Sequence, residues 1–132
     1  MYNGFDANKT FWTDSNSLQM MKRNVRELPT MDSTIPGNYY PVTSAIAMRD
    51  HRANSSMQVT IMNDRAQGGG ADLSESSTIE LMQHRRTLQE DGKGNHEALN
   101  ETDSEDIGIR VNARYYMQIF DTKKGKSLQR SQ

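Results

Sequence analysis

Apolar and polar residues alternate most regularly near the C-terminal end of the chain. Val111, Ala113, Tyr115, Met117 and Ile119 fall on one parity, and Asn112, Arg114, Tyr116, Gln118 and Phe120 on the other. Successive side chains of an extended chain point to opposite faces, so this period of two predicts a strand over 111–120. Residues 57–63 alternate in the same way, with Met57, Val59 and Ile61 opposite Gln58, Thr60 and Met62. Shorter extended stretches are expected at 10–13, 18–25, 39–42 and 45–48, the last continuing the one before it. Pro41 supports the third of these, because a residue before proline avoids the helical region. Residues 78–86 are ambiguous. Ile79, Met82 and Arg86 fit a helical stripe, with Ser76 near Glu80 resembling a cap, but strand neighbours favour a strand.

Between these stretches lie turn signals: Asp14 to Ser17, the Pro36-Gly37-Asn38 cluster, the polar run 50–56, and the long acidic and glycine-containing stretch 88–108. Gln67-Gly68-Gly69-Gly70 reads as a flexible loop in which backbone takes positive φ or approaches another group closely. Five or six short strands and two long loops, without a repeat of solenoid or propeller period, describe an all-β piece of an antiparallel sandwich.

The composition changes that picture in one respect. Only 33% of the residues are hydrophobic, or about 40% with the nine glycines, below the ~45–50% of ordinary globular domains. A chain of 132 residues with so little apolar material is rich in loops and completes its core against another segment. The net charge of −1 provides no field for nucleic acid or an anionic membrane. The acidic run at 97–106 and the basic residues after Asp121 read as solvated loop and tail. With no cysteine, disulfides and thiolate chemistry are excluded. No apolar run is long enough to span a membrane. The first residues lack the apolar core of a signal peptide, so a secretory parent would carry its leader upstream of this chain.

Candidate chemistry is sparse. His51, His84 and His96 are widely separated and have no partner at metal-ligand spacing. The glycine triplet lacks the lysine and hydroxyl of a phosphate loop. No Ser-nucleophile motif occurs, and no pair can be chosen among 17 acidic residues without a fold. Asp64-Arg65 is a charged pair at a strand end. Adjacent Arg85 and Arg86 on a strand would point to opposite faces, and an inward one would need a carboxylate. Glu90-Asp91-Gly92-Lys93-Gly94 is a turn that holds a lysine out at its tip. Asn8, Asn54 and Asn100 head three glycosylation triplets in expected loops. Trp12, Tyr39 and Tyr40 are either core aromatics or, in a free-standing carbohydrate-binding β module, platforms for sugar rings.

Several of these segments, in order, resemble the C-terminal β region of family 38 glycoside hydrolases, the α-mannosidases. The resemblance rests on Phe11-Trp12-Thr13-Asp14-Ser15-Asn16, Gly37-Asn38-Tyr39-Tyr40-Pro41-Val42, Asn63-Asp64-Arg65-Ala66-Gln67-Gly68-Gly69, Glu80-Leu81-Met82-Gln83-His84-Arg85-Arg86 and Glu90-Asp91-Gly92-Lys93-Gly94. The G-N-Y-Y-P and H-R-R forms favour the lysosomal type over the Golgi type.

The resemblance implies an antiparallel β-sandwich segment over 9–121, preceded by an extension at 1–8 and followed by a basic tail at 122–132. It implies a parent enzyme that hydrolyses terminal α-D-mannosyl residues of glycans, with retention, in the lysosome or secreted. Zinc is expected in the parent's catalytic domain, with no cofactor in this chain. The segment would be non-catalytic, buttressing that domain and lending loops to its cleft. Its partners would then be the catalytic domain and mannose-containing glycans, with no nucleic acid and no membrane span. Arg65, Gln67, Gly68, Asp91 and Lys93 are the loop residues expected near substrate. Lys93 stands where the family has the arginine of D-D-G-R-G, so it keeps the charge without the bidentate fork. Ser17 stands where the family has glycine, and Gly70-Ala71-Asp72 replaces small serines.

Overall fold

The structure, a computed structural model, describes residues 5–27, 36–73, 77–84, 86–90, 92–94 and 96–123. The expectations for Arg85, Asp91 and most of the basic tail lie outside the described residues. Among the described residues eight strands follow one another: β1 (Thr10–Thr13), β2 (Met21–Asn24), β3 (Tyr40–Val42), β4 (Ala45–Arg49), β5 (Met57–Asn63), β6 (Gln67–Ala71), β7 (Ile79–Met82) and β8 (Tyr115–Asp121). A 3₁₀ turn, Pro36–Asn38, precedes β3. All pairings are antiparallel and form two sheets, one ordered β2-β1-β4-β5-β8 and a smaller one ordered β3-β6-β7.

Alternation along each strand decides which residues meet between the sheets. Phe11 lies opposite Met48 and Thr13 opposite Ile46. Ile46 then lies opposite Ile61 and Met48 opposite Val59. Continuing outward, Val59 faces Ile119 and Ile61 faces Met117. These residues share one face of the larger sheet. Phe11, Ile46 and Met48 join Val42 and Ala71 of the smaller sheet and Ala7 in the buried cluster, with Tyr40, Ile79 and Leu81 packed against it. Phe11 is fully buried and meets the Tyr40 ring edge-on at 5.8 Å. The smaller sheet covers only part of this face: β6 lies over β1 and β4, and β7 over β4. Met117 and Ile119 remain exposed at 68% and 57%.

The structure departs from the sequence reading in five places. The glycine triplet is a strand, not a flexible loop, and none of its glycines has positive φ. A Cβ on Gly69 would stand 2.9 Å from side-chain carbons of both Leu81 and Val42, and one on Gly70 would stand 2.9 Å from the Asn38 carbonyl. Close approach of neighbouring backbone and side chains is therefore what keeps side chains out. Residues 39–48 do not continue as one strand. Thr43 and Ser44 carry the chain from the smaller sheet to the larger one, so β3 and β4 belong to different sheets. The strand expected over 18–25 shortens to β2, and that expected over 111–120 begins only at Tyr115. β7 ends at Met82, so Arg86 is not on a strand and instead donates to the Asn100 carbonyl at 3.4 Å.

Candidate functional site

Four of the five residues expected near substrate can be placed. Three of them lie along the crossing from β5 to β6, where the chain passes from the larger sheet to the smaller. Asn63, buried at the end of β5, donates from Nδ2 to the carbonyls of Val42 (3.1 Å), Thr43 (3.5 Å) and Arg65, tying the crossing to the end of β3. Its Oδ1 is buried with no hydrogen-bond partner among the described residues. The Asp64 N–H donates to the Arg114 carbonyl at 3.2 Å, and the Asp64 carboxylate accepts the Arg114 N–H at 3.0 Å. The neighbouring Arg65 guanidinium, with Nε 3.1 Å from Oδ1, lowers the pKa of Asp64, opposed by desolvation and helped by the Arg114 N–H. Arg65 also donates to the Asn112 carbonyl and keeps 41% of its side chain exposed.

Gln67 opens β6 and turns inward. Its Nε2 donates to the Tyr115 hydroxyl at 2.7 Å and to the Met82 carbonyl at 3.4 Å, joining β6 to β7 and to the larger sheet. Its Oε1 is buried without a partner among the described residues. Gly68 pairs with Pro41 and Met82. Gln67 and Gly68 are thus framework, while Asp64, Arg65 and Ala66 are exposed on the crossing.

Lys93 sits on the connection between β7 and β8. Gly92 and Gly94 on either side have φ of 70° and 152°, the region where glycine is at ease. The Gly92 N–H donates to Glu90 Oε2 at 2.6 Å, closing the turn beneath Lys93. Lys93 is exposed between these two glycines. Asp91 lies outside the described residues.

The aromatic side chains are engaged by the domain itself. His51 stacks on Trp12 with ring centroids 6.4 Å apart, and the Arg49 guanidinium lies 4.9 Å from the Trp12 ring centre. Arg23 lies 4.4 Å from the centre of Tyr40, while Tyr39 donates its hydroxyl to Glu80 Oε2 at 3.0 Å. Burial and that carboxylate raise the pKa of Tyr39. A groove of about 530 Å³ on the other face of the larger sheet is floored by Asp14, Gln58 and Thr60 and walled by Leu18 and Met20. Its polar floor is spent internally: Gln58 accepts from Arg49 and donates to Thr60, and the Asp14 carboxylate accepts the N–H groups of Ser44 and Ala45.

Aspartates at strand ends are the polar residues that sequence reasoning passed over. Besides Asp14, the buried Asp50 accepts the N–H of Asp6 at 3.3 Å and of Arg52 at 3.2 Å, and pairs with the Arg52 guanidinium. That pairing first of all holds the Asp50 carboxyl well below the usual range. Asp72 accepts the N–H of Lys9 at 2.7 Å and of Ser77 at 3.0 Å. The signal available in the sequence was an aspartate one or two residues after Trp12, Met48 and Ala71, the last apolar residues of their stretches.

Among the described residues no group of three or more His, Asp or Glu comes together that could hold a metal. No helix of the described residues is long and apolar enough to cross a membrane. Of the glycosylation candidates, Asn8 lies in a tight turn at φ 49°, Asn54 in the β4–β5 connection and Asn100 in the β7–β8 connection, all exposed.

Two antiparallel sheets, polar clusters turned to their own backbone and two charged loops define a β-sandwich domain. The chain belongs to the family of glycosyl hydrolases family 38 C-terminal domains, which it matches over residues 3–93. It is 44% identical over 118 residues to the lysosomal alpha-mannosidase of Cavia porcellus, covering 86% of this chain and 11% of that protein. It is 35% identical over 134 residues to the alpha-mannosidase of Canavalia ensiformis, covering 95% and 13%. With a probable alpha-mannosidase of Arabidopsis thaliana the identity is 34% over 133 residues, covering 95% and 12%. The chain spans about a tenth of the length of the curated relatives it matches.

Proposed function

We propose that this chain is the non-catalytic β-domain of a lysosomal-type α-mannosidase, which removes terminal α-D-mannosyl residues from glycans in the lysosome or after secretion. The observation that carries this reading is the likeness to alpha-mannosidases of animals and plants over 86–95% of the chain. The G-N-Y-Y-P and H-R-R segments support the lysosomal type. The catalytic domain, with its zinc, is the partner. This domain braces it and presents two charged loops to the glycan.

In this reading Arg65 and Lys93 are the side chains that meet sugar hydroxyls, while Gln67 and Gly68 hold the crossing behind Arg65 and Asp91 shapes the turn at Lys93. Lys93 offers a single point charge with three rotatable donors, where an arginine would offer a planar fork. A contact of that kind binds ground state and transition state alike and acts on KM more than on kcat. Asn8, Asn54 and Asn100 carry glycans in the secretory pathway.

The test is to replace the matching segment of the Canavalia ensiformis enzyme by this chain. The hybrid is expected to hydrolyse an aryl α-mannoside, and the 132-residue chain alone to be inert. A correctly folded hybrid without activity, or turnover by the isolated chain, overturns the proposal.

A further inference from the structure

The two sheets are unequal, and the mismatch falls at one place. The larger sheet ends in β5 and β8, while the smaller ends at β7, which lies over β4. One more strand beside β7 would lie over β5 and β8. The inward face of β8 at that place carries Tyr115, Met117 and Ile119, exposed at 41%, 68% and 57%. The parity that holds Met117 and Ile119 is therefore turned toward the side of the smaller sheet and, among the described residues, is left without a cover. A recess of about 280 Å³ opens between the sheets here, lined by Ile61 of β5, Leu81 of β7, Gln83, and Tyr115 and Met117 of β8.

We propose that the free edge of β7 accepts a further β-strand, supplied by another part of the same longer polypeptide, whose apolar side chains fill this recess and cover Met117 and Ile119. Four observations select that occupant. First, β7 is hydrogen-bonded to β6 on one side only among the described residues; its other edge offers backbone donors and acceptors to an added strand. Second, residues 115–120 carry no charge, and the one charged residue of β7, Glu80, already accepts from Tyr39. The incoming strand is therefore uncharged and apolar on the side facing β8. Third, none of the stretches 1–4, 28–35, 74–76 and 124–132 of this chain has apolar residues at every second position, so none matches the face to be covered. Fourth, relatives that match 86–95% of this chain are roughly seven to eight times its length, so abundant chain exists in this family to supply a strand. The proposal rests on the reading above in one respect, that this domain belongs to a longer polypeptide.

The test uses the 132-residue chain and overlapping short peptides covering the part of the Canavalia ensiformis enzyme outside the matched segment. A small set of contiguous peptides is expected to bind, and amide exchange is expected to slow at 79–82 and 115–121 when they do. Met117→Lys with Ile119→Lys is expected to weaken binding at least about tenfold, since both side chains lose an apolar contact. Both residues are exposed in the chain, so the pair leaves the fold intact, and unchanged circular dichroism checks this. Tyr116→Lys, on the opposite face, is expected to leave binding unchanged. The proposal is overturned if no peptide binds, or if protection appears only away from these strands. Insensitivity to the Met117 and Ile119 changes overturns it too. So does concentration-dependent dimerisation that those changes abolish, which would make a second copy the occupant. Binding is read here without catalysis, so an inactive hybrid enzyme with intact peptide binding counts against the α-mannosidase reading alone.

Discussion

Ser17 has φ of 58°, a backbone conformation that costs an L-residue about 1–2 kcal/mol and glycine almost nothing. Its place in the Asp14–Leu18 turn is where the resemblance to family 38 puts glycine. Ser17→Gly relieves that strain and loses part of the gain, about 0.5–1 kcal/mol, to the greater freedom of the unfolded chain. The expected outcome is a net stabilisation of about 0.5–1 kcal/mol, read as a higher urea midpoint at unchanged slope. The oddity of serine here was legible in the sequence, but its cost was not, because only the folded turn assigns the dihedral angle. The same limit applied to Gln67. As a letter it marked a candidate loop contact, and in the structure its amide is turned inward to Tyr115 and Met82.

At the scale of the element, β6 shows how tertiary contact overrides local propensity. Three consecutive glycines favour a loop, since glycine in a strand loses much conformational freedom and packs nothing. They form a strand because β3 and β7 pair with β6 on either side and because Val42, Leu81 and the Asn38 carbonyl occupy the space of the missing side chains. Gly69→Ala is expected to destabilise the domain by about 1–3 kcal/mol, as overpacking does in a filled core. Gly68→Ala serves as the control, because its Cβ meets nothing closer than 3.7 Å; chemical denaturation of both variants checks the contrast. β5 and β8 were legible because alternation over seven residues each survives without knowledge of their neighbours. The break between β3 and β4 was not, because the passage from one sheet to the other at Thr43 and Ser44 is fixed by Asp14, whose carboxylate accepts the Ser44 and Ala45 N–H groups from a distant turn.

Across the whole molecule, charge and coverage decide how the domain stands. Asp50 joins the segment before β1 to the β4–β5 connection through the Asp6 N–H and Arg52. Its folded pKa is depressed, chiefly by Arg52. The stability it contributes is therefore present above the unfolded carboxylate value of ~3.9 and is lost as pH falls below that value. Asp50→Asn is expected to lower stability at neutral pH and to flatten the decline below about pH 4, measured as the melting temperature against pH. The all-β class, the short strands, the low apolar content and the family were all readable from the order of residues, because periodicity and motifs are properties of the chain itself. Which parity of 115–120 faces the core, and that this face is left uncovered, came only from the tertiary structure. Two-fold alternation names two faces without saying which is inside, and that choice belongs to the sheet packed above it.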